Sequence, residues 1–196
     1  MTPQDIITTA RNIYNDADSV LYRKDNTELL SYVNDGLREM SALKPELFST
    51  IGDMDTTAGE VEHSVTFADA QVLVDVLCIH AGAAVTEFDM ATMDAFNPNW
   101  RTDTAAPMRQ WARKPGDLLR FFIYPKSPVT QTIDVRYIRT PTVLALADTI
   151  SEIPAAQFPA LVDYVVYRAE SADDEHTVSQ RATSHYQAFV TKVKGA

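Results

Sequence analysis

Residues 153–194 read IPAAQFPALVDYVVYRAESADDEHTVSQRATSHYQAFVTKVK. Phe158, Leu161, Val162, Val165, Ala169 and Ala172 recur at steps of three and four, the spacing of one apolar stripe on a helix of about residues 159–174. Pro159 suits the first turn, where its missing N–H would have had no partner anyway. The opposite face carries Asp163, Tyr164, Tyr167, Arg168 and Ser171, and reads as wet or as a contact for another subunit. The acidic run Asp173, Asp174, Glu175 breaks the pattern. Thr177 or Ser179 can then cap a second helix with apolar Val178, Ala182, Tyr186, Phe189 and Val193. Such a hairpin cannot bury both stripes alone, so it needs helices from elsewhere or a partner chain.

Those helices are at the other end of the chain. Thr2 and Pro3 form a cap and first-turn pair, and Ile6, Ile7, Ala10, Ile13 and Tyr14 make the first stripe. Asp16, Asp18 and Ser19 form a turn, and a second helix starts near Asn26 with Leu29, Leu30, Val33, Leu37, Met40 and Leu43 at helical spacing. Gly36 inside it costs roughly 1 kcal/mol against alanine, which points to a close helix contact. Lys44 and Pro45 end it.

Between residues 48 and 141 the period shifts towards two, and Gly52, Gly59, Pro107, Pro115, Gly116, Pro125 and Pro128 arrive at short intervals. Strands are expected over 48–53, 60–67, 73–80, 108–113, 118–124 and 130–139, with a short helix near 87–96. The fold class is therefore α+β: a four-helix bundle from the N- and C-terminal helix pairs, with an inserted, mainly antiparallel β-sheet region. The expected domains are 1–46 with 153–196, and 47–152.

Composition sets the outer limits. With 45% hydrophobic and 22% charged residues, the 196-residue chain is globular rather than disordered. It has no apolar run near the ~18 residues a membrane span needs and no charged-then-apolar leader, so neither a span nor a secretory peptide is expected. Cys78 is the single cysteine, so no internal disulfide forms and intracellular synthesis follows. A net charge of −10 argues against neutralising a nucleic-acid backbone, though not against a channel through which DNA slides.

Residues 26–40 (NTELLSYVNDGLREM) with Lys44, Pro45 and Glu46, then 96–100 (FNPNW), 122–125 (FIYP) and 153–189 resemble, in their joint order over nearly the whole chain, the head-to-tail adaptor proteins of tailed bacteriophages. The resemblance implies a virion protein made in the host bacterial cytoplasm, a ring, commonly of twelve subunits, beneath the portal protein, and a docking surface for a tail or nozzle protein. DNA would pass through its channel without specific binding. The family brings no catalytic residues, metal or cofactor.

The chemistry-bearing residues fit that reading. No Gly-rich phosphate loop, GxSxG elbow or cysteine with a placed base occurs, and Cys78 between Leu77 and Ile79 reads as a small core residue. His63 and His80 read as core or surface histidines. The alternative is a small soluble metal-dependent enzyme using Asp173, Asp174, His176 and His185, since carboxylate and imidazole are common ligands. Helix capping by the same acids explains them more simply. Arg101, Arg109, Arg113, Lys114 and Arg120 around Trp100 and Trp111 form the basic-aromatic cluster, which reads first as a protein-contact loop, where Trp and Arg are enriched, with a nucleic-acid stacking platform or a plain solvated loop as the alternatives. Residues 97–116 are thus expected to form an exposed loop or hairpin. The candidate protein-contact residues are Trp100, Arg101, Arg109, Trp111, Arg113, Tyr164, Tyr167 and Arg168.

Overall fold

Thr2 accepts a hydrogen bond from the backbone N–H of Asp5, and the Asp5 carboxylate accepts one from the N–H of Thr2, a reciprocal cap that opens helix α1 (Pro3–Ile13). The computed structural model describes residues 1–16, 18, 22–172 and 180–195. They divide into two compact units, Met1–Phe48 with Pro141–Ala196, and Ser49–Thr140.

In the first unit α1 is followed by α2 (Asn26–Leu43), capped by Asp25. Asp16 ties the two together from a buried position. Its carboxylate lies 2.5 Å from Arg11 Nη1 and accepts from Tyr14 Oη at 3.1 Å and from the Arg23 N–H at 2.9 Å. Arg11 also donates to the Lys24 carbonyl and to Asn26 Oδ1, so this buried charge pair is well supplied with hydrogen bonds.

The expected four-helix bundle is not what forms. Helix α4 (Phe158–Ala172) is buried at residues 160–166 and at 169, which at 3.6 residues per turn covers every direction around its axis. It is a central helix enclosed by α1, α2 and α5 (Gln180–Lys194). An extended segment ahead of α4 completes the unit. Its Leu144, Ile150 and Ile153 are buried, and the Asn34 side chain clamps the Leu144 backbone through both N–H and C=O. The Leu146 carbonyl and the Ile150 N–H bond to the backbone of Gln4 and Met1. Asp163 and Tyr164, expected on an outer face, are therefore interior. Asp163 is tolerated there because α5 brings Lys192 Nζ and His185 Nδ1 (3.0 Å) to its carboxylate.

The second unit holds two sheets, where one mainly antiparallel sheet was expected. The first sheet is antiparallel, in the order β1 (Ser49–Asp55), β7 (Thr132–Arg139), β3 (Ala70–Ile79). The second runs β2 (Glu62–Ser64), β6 (Arg120–Tyr124), β5 (Gln110–Arg113), β4 (Thr86–Glu87), and its β4–β5 pair is parallel. Leu73, Val76, Ile133 and Val135 from one sheet and Trp111, Phe121 and Ile123 from the other share one core. A fifth helix, α3 (Met90–Phe96), capped by Asp89, belongs to this unit and has no buried residue.

Gly36 sits at the close helix contact its place in α2 calls for. A Cβ built there would lie 3.0 Å from Leu161 Cδ2 and 3.0 Å from Tyr164 Cδ1, so α2 and α4 meet where only glycine fits without displacing its neighbours. Replacing Gly36 by valine should lower unfolding stability by about 1–3 kcal/mol through overpacking. Urea denaturation checks this; an unchanged midpoint and slope would contradict it.

Candidate protein-contact surfaces

On the β-rich unit, Trp100 and Trp111 are not displayed on a loop: both rings are fully buried. The reason is aromatic packing. Trp100, in a 3-10 turn after α3, is met edge-on by Phe88 (5.2 Å between centroids), Phe122 (5.9 Å) and Tyr124 (6.3 Å), and its indole N–H donates to Asp94 Oδ1 at 2.7 Å. Trp111 points from β5 into the inter-sheet core, edge-on to Phe121. What these rings offer the surface is support for cations. The Arg101 guanidinium lies 4.4 Å from the Trp100 centroid, and that of Arg113 lies 6.0 Å from the Trp111 centroid.

The basic cluster is largely neutralised. Arg101 pairs with Asp94 (2.6 Å), and Lys114 and Arg120 share Glu62 (2.8 and 3.0 Å). Arg120 also reaches Asp117, and Arg113 donates to the Val74 carbonyl at 2.9 Å. Arg109 is exposed and makes no ion pair among the described residues. Hydrogen bonds from Arg101 and then Trp100 hold the Asp94 carboxyl below its usual range, and Lys114 foremost does the same for Glu62. Cations already matched by carboxylates make a poor phosphate track and a good rim for a protein contact.

On the helical unit, Tyr167 and Tyr186 stack obliquely (5.0 Å), with Tyr164 and Phe189 beneath them. Arg168 lies 5.1 Å from the Tyr32 ring centroid, donates to Tyr164 Oη at 3.4 Å, and approaches Asp35 at 3.8 Å. Burial raises the pKa of the Tyr164 hydroxyl; burial and then the Glu39 carboxylate raise that of Tyr186. Tyr167 and Arg168 are half-buried and face outward, whereas Tyr164 is buried and positions them. The sequence reading missed the α2 side of this patch, Glu28, Tyr32, Asp35 and Glu39. Their three- and four-residue spacing is the signal that marks them as one face.

The remaining titratable residues fall elsewhere. His63 is buried, and burial lowers its pKa. Cys78 is half-buried rather than core. Its thiol donates to Asp134 Oδ2 at 3.3 Å, which raises its pKa and disfavours the thiolate, while His80 Nδ1 lies 2.7 Å from Asp134 Oδ1. Asp173, Asp174 and His176 lie outside the described residues, and His185 engages Asp163. Among the described residues no group of three or more His, Cys, Asp or Glu side chains is arranged so that it could hold a metal ion, and no helix is long and apolar enough to cross a membrane.

A family model described as SU10 adaptor protein matches residues 1–195. No curated protein matches the chain.

The Asp94–Arg101 pair has a pH signature. Because the folded-state pKa of Asp94 is depressed below 3.8, the pair's contribution is present above that value and is lost as pH falls through the depressed one. In a carboxyl NMR titration, Asp94 should titrate below 3.8 and move upward in Arg101→Ala. An Asp94 value unmoved by that substitution would contradict the assignment.

Proposed function

Because the chain belongs to the SU10 adaptor protein family, a family of phage adaptor proteins, we propose that it is the subunit of a ring between the portal and the tail or nozzle. The family role is structural, not enzymatic, and belongs to the virion in assembly with portal and tail proteins. The whole-length family match carries this reading. Synthesis takes place in the host bacterial cytoplasm.

The ring holds twelve copies, and each contact is modest. Closure makes them act together, since the last subunit is held on two sides at once. Tyr167 and Arg168, seated on Tyr164, form the contact surface of the helical unit. Arg101 and Arg113, backed by Trp100 and Trp111, form that of the β-rich unit together with the exposed Arg109. Surface arginines carried on buried or half-buried aromatic rings, with Arg101 and Arg168 also near carboxylates, support this, as aromatics and arginine are what protein contacts favour.

The ring also forms part of the DNA channel, and DNA passes through it without specific binding. A charge of −10 per chain, repeated twelve times, gives on the order of 120 negative charges. Screening confines their effect to about 8–10 Å in physiological salt, so the field centres a duplex without barring it.

Two measurements test the reading. Mixed with its portal protein, the purified chain should co-sediment, and native mass spectrometry should count twelve copies per portal ring. A chain that stays monomeric beside the portal at high concentration would contradict it. In a gel-shift titration the assembled ring should not retard duplex DNA at low salt. Tight, salt-dependent retardation abolished by neutralising Arg101, Arg109 and Arg113 would reveal a basic bore instead.

A further inference from the structure

Strand β1 ends the first sheet, and one side of its backbone has no strand beside it. The Thr56 N–H donates to the Gln131 carbonyl at 2.9 Å, in register with the β1–β7 ladder, so Thr50, Gly52 and Met54 turn their backbone groups toward β7. Ile51, Asp53 and Asp55 therefore turn theirs outward. Among the described residues no hydrogen bond reaches the backbone N–H or C=O of these three. They stand two residues apart, about 7 Å, the repeat of an extended backbone laid alongside. The opposite end of the sheet is covered. Leu73 and Ile79 of β3 donate to the Leu118 and Ala83 carbonyls at 2.8 and 3.0 Å, and the Leu77 carbonyl accepts from the Val85 N–H.

The side chains say what kind of strand fits the open edge. Ile51 is 57% exposed, and Asp53 and Asp55 are exposed and enter no ion pair among the described residues. Asp55 accepts from the Thr132 hydroxyl, which leaves its charge in place. Asp134, across from Asp53 on β7, already has His80 at 2.7 Å, and Asp53 is the least of the groups that raise the His80 pKa. A second copy's β1 laid antiparallel would set these aspartates against their own kind. The two ends of the second sheet, β2 and β4, carry Glu62 and Glu87, so another copy of this chain offers no basic strand end to pair with β1.

We propose that the β1 edge takes up an extended segment of a different protein as an added strand, apolar where it meets Ile51 and carrying lysine or arginine beside Asp53 and Asp55. The backbone ladder supplies the affinity. The aspartates select a basic strand and keep the edge from pairing with itself. This contact does not depend on the chain closing a ring.

NMR on the full chain tests it. In the free chain the amides of Ile51, Asp53 and Asp55 should exchange with solvent faster than those of Gly52 and Met54. A capped seven-residue peptide alternating lysine and valine, added at low salt, should shift those three amides and slow their exchange. Glutamate in place of lysine in the peptide should weaken binding about tenfold or more, as should Asp53→Asn/Asp55→Asn in the chain. The lysine peptide methylated at every backbone nitrogen should not bind. Slow exchange of the three amides without peptide would show the edge already covered, by a second copy where it grows with protein concentration, and would overturn the proposal. So would peptide shifts elsewhere on the surface, equal binding by the methylated peptide, or no shift at any soluble peptide concentration.

Discussion

Seven consecutive residues of α4, 160–166, are buried, and one of them is an aspartate. No helix can meet that condition with partners on one side only, so the helical unit is built to surround it. α1, α2 and α5 each lie against α4, and the extended segment around Leu144–Ile153 is fastened to α2 by Asn34 and to the start of α1 by backbone bonds. Gly36 gives α2 room to come close. Lys192 and His185 make Asp163 bearable in an interior where an unpaired carboxylate would cost several kcal/mol. The unit is organised about a centre rather than about a seam shared by four equal helices.

The β-rich unit answers a different constraint: two short sheets must share one core. Gly52 shows how closely the segment after β2 covers the first sheet. A Cβ there would lie 2.7 Å from the Phe67 ring, which covers β1 and stacks on Tyr137 at 4.7 Å. The tryptophans belong to the same economy of packing. Trp111 fills the inter-sheet core, and Trp100 gathers Phe88, Phe122 and Tyr124 into a second aromatic cluster. Their burial leaves the arginines resting on them as the groups a partner would meet.

The helices are legible in the sequence because their signals are local. The Thr2–Pro3 cap, the turn ahead of Asn26 and the stop at Lys44–Pro45 each act within a few residues, and the stripes of α1, α2, α4 and α5 have the right period. The second face of α4 is not legible in the same way. Asp163 looks like a surface residue until α5 supplies partners 22 and 29 positions away, and Tyr164 until Phe189 of α5 packs on its ring. Gly52 reads as a turn because its meaning lies in Phe67. The two-residue strand β4 has no period to detect, and its parallel pairing with β5 is a tertiary outcome. At the candidate surfaces, Arg101, Tyr167 and Arg168 are singled out by type and spacing, and all three are partly exposed. The inward turn of both tryptophans depends on aromatic neighbours that no local pattern announces.

Both units keep most of their large aromatics inside, and several of the cations they present are matched to carboxylates, a composition that protein contacts favour. Cryo-electron microscopy of the head–tail junction of the intact phage particle tests most directly whether the chain stands there. The account predicts a single ring of this chain seated between portal and tail. Density for the chain elsewhere in the particle, or a portal joined to the tail with no such ring between them, would contradict it.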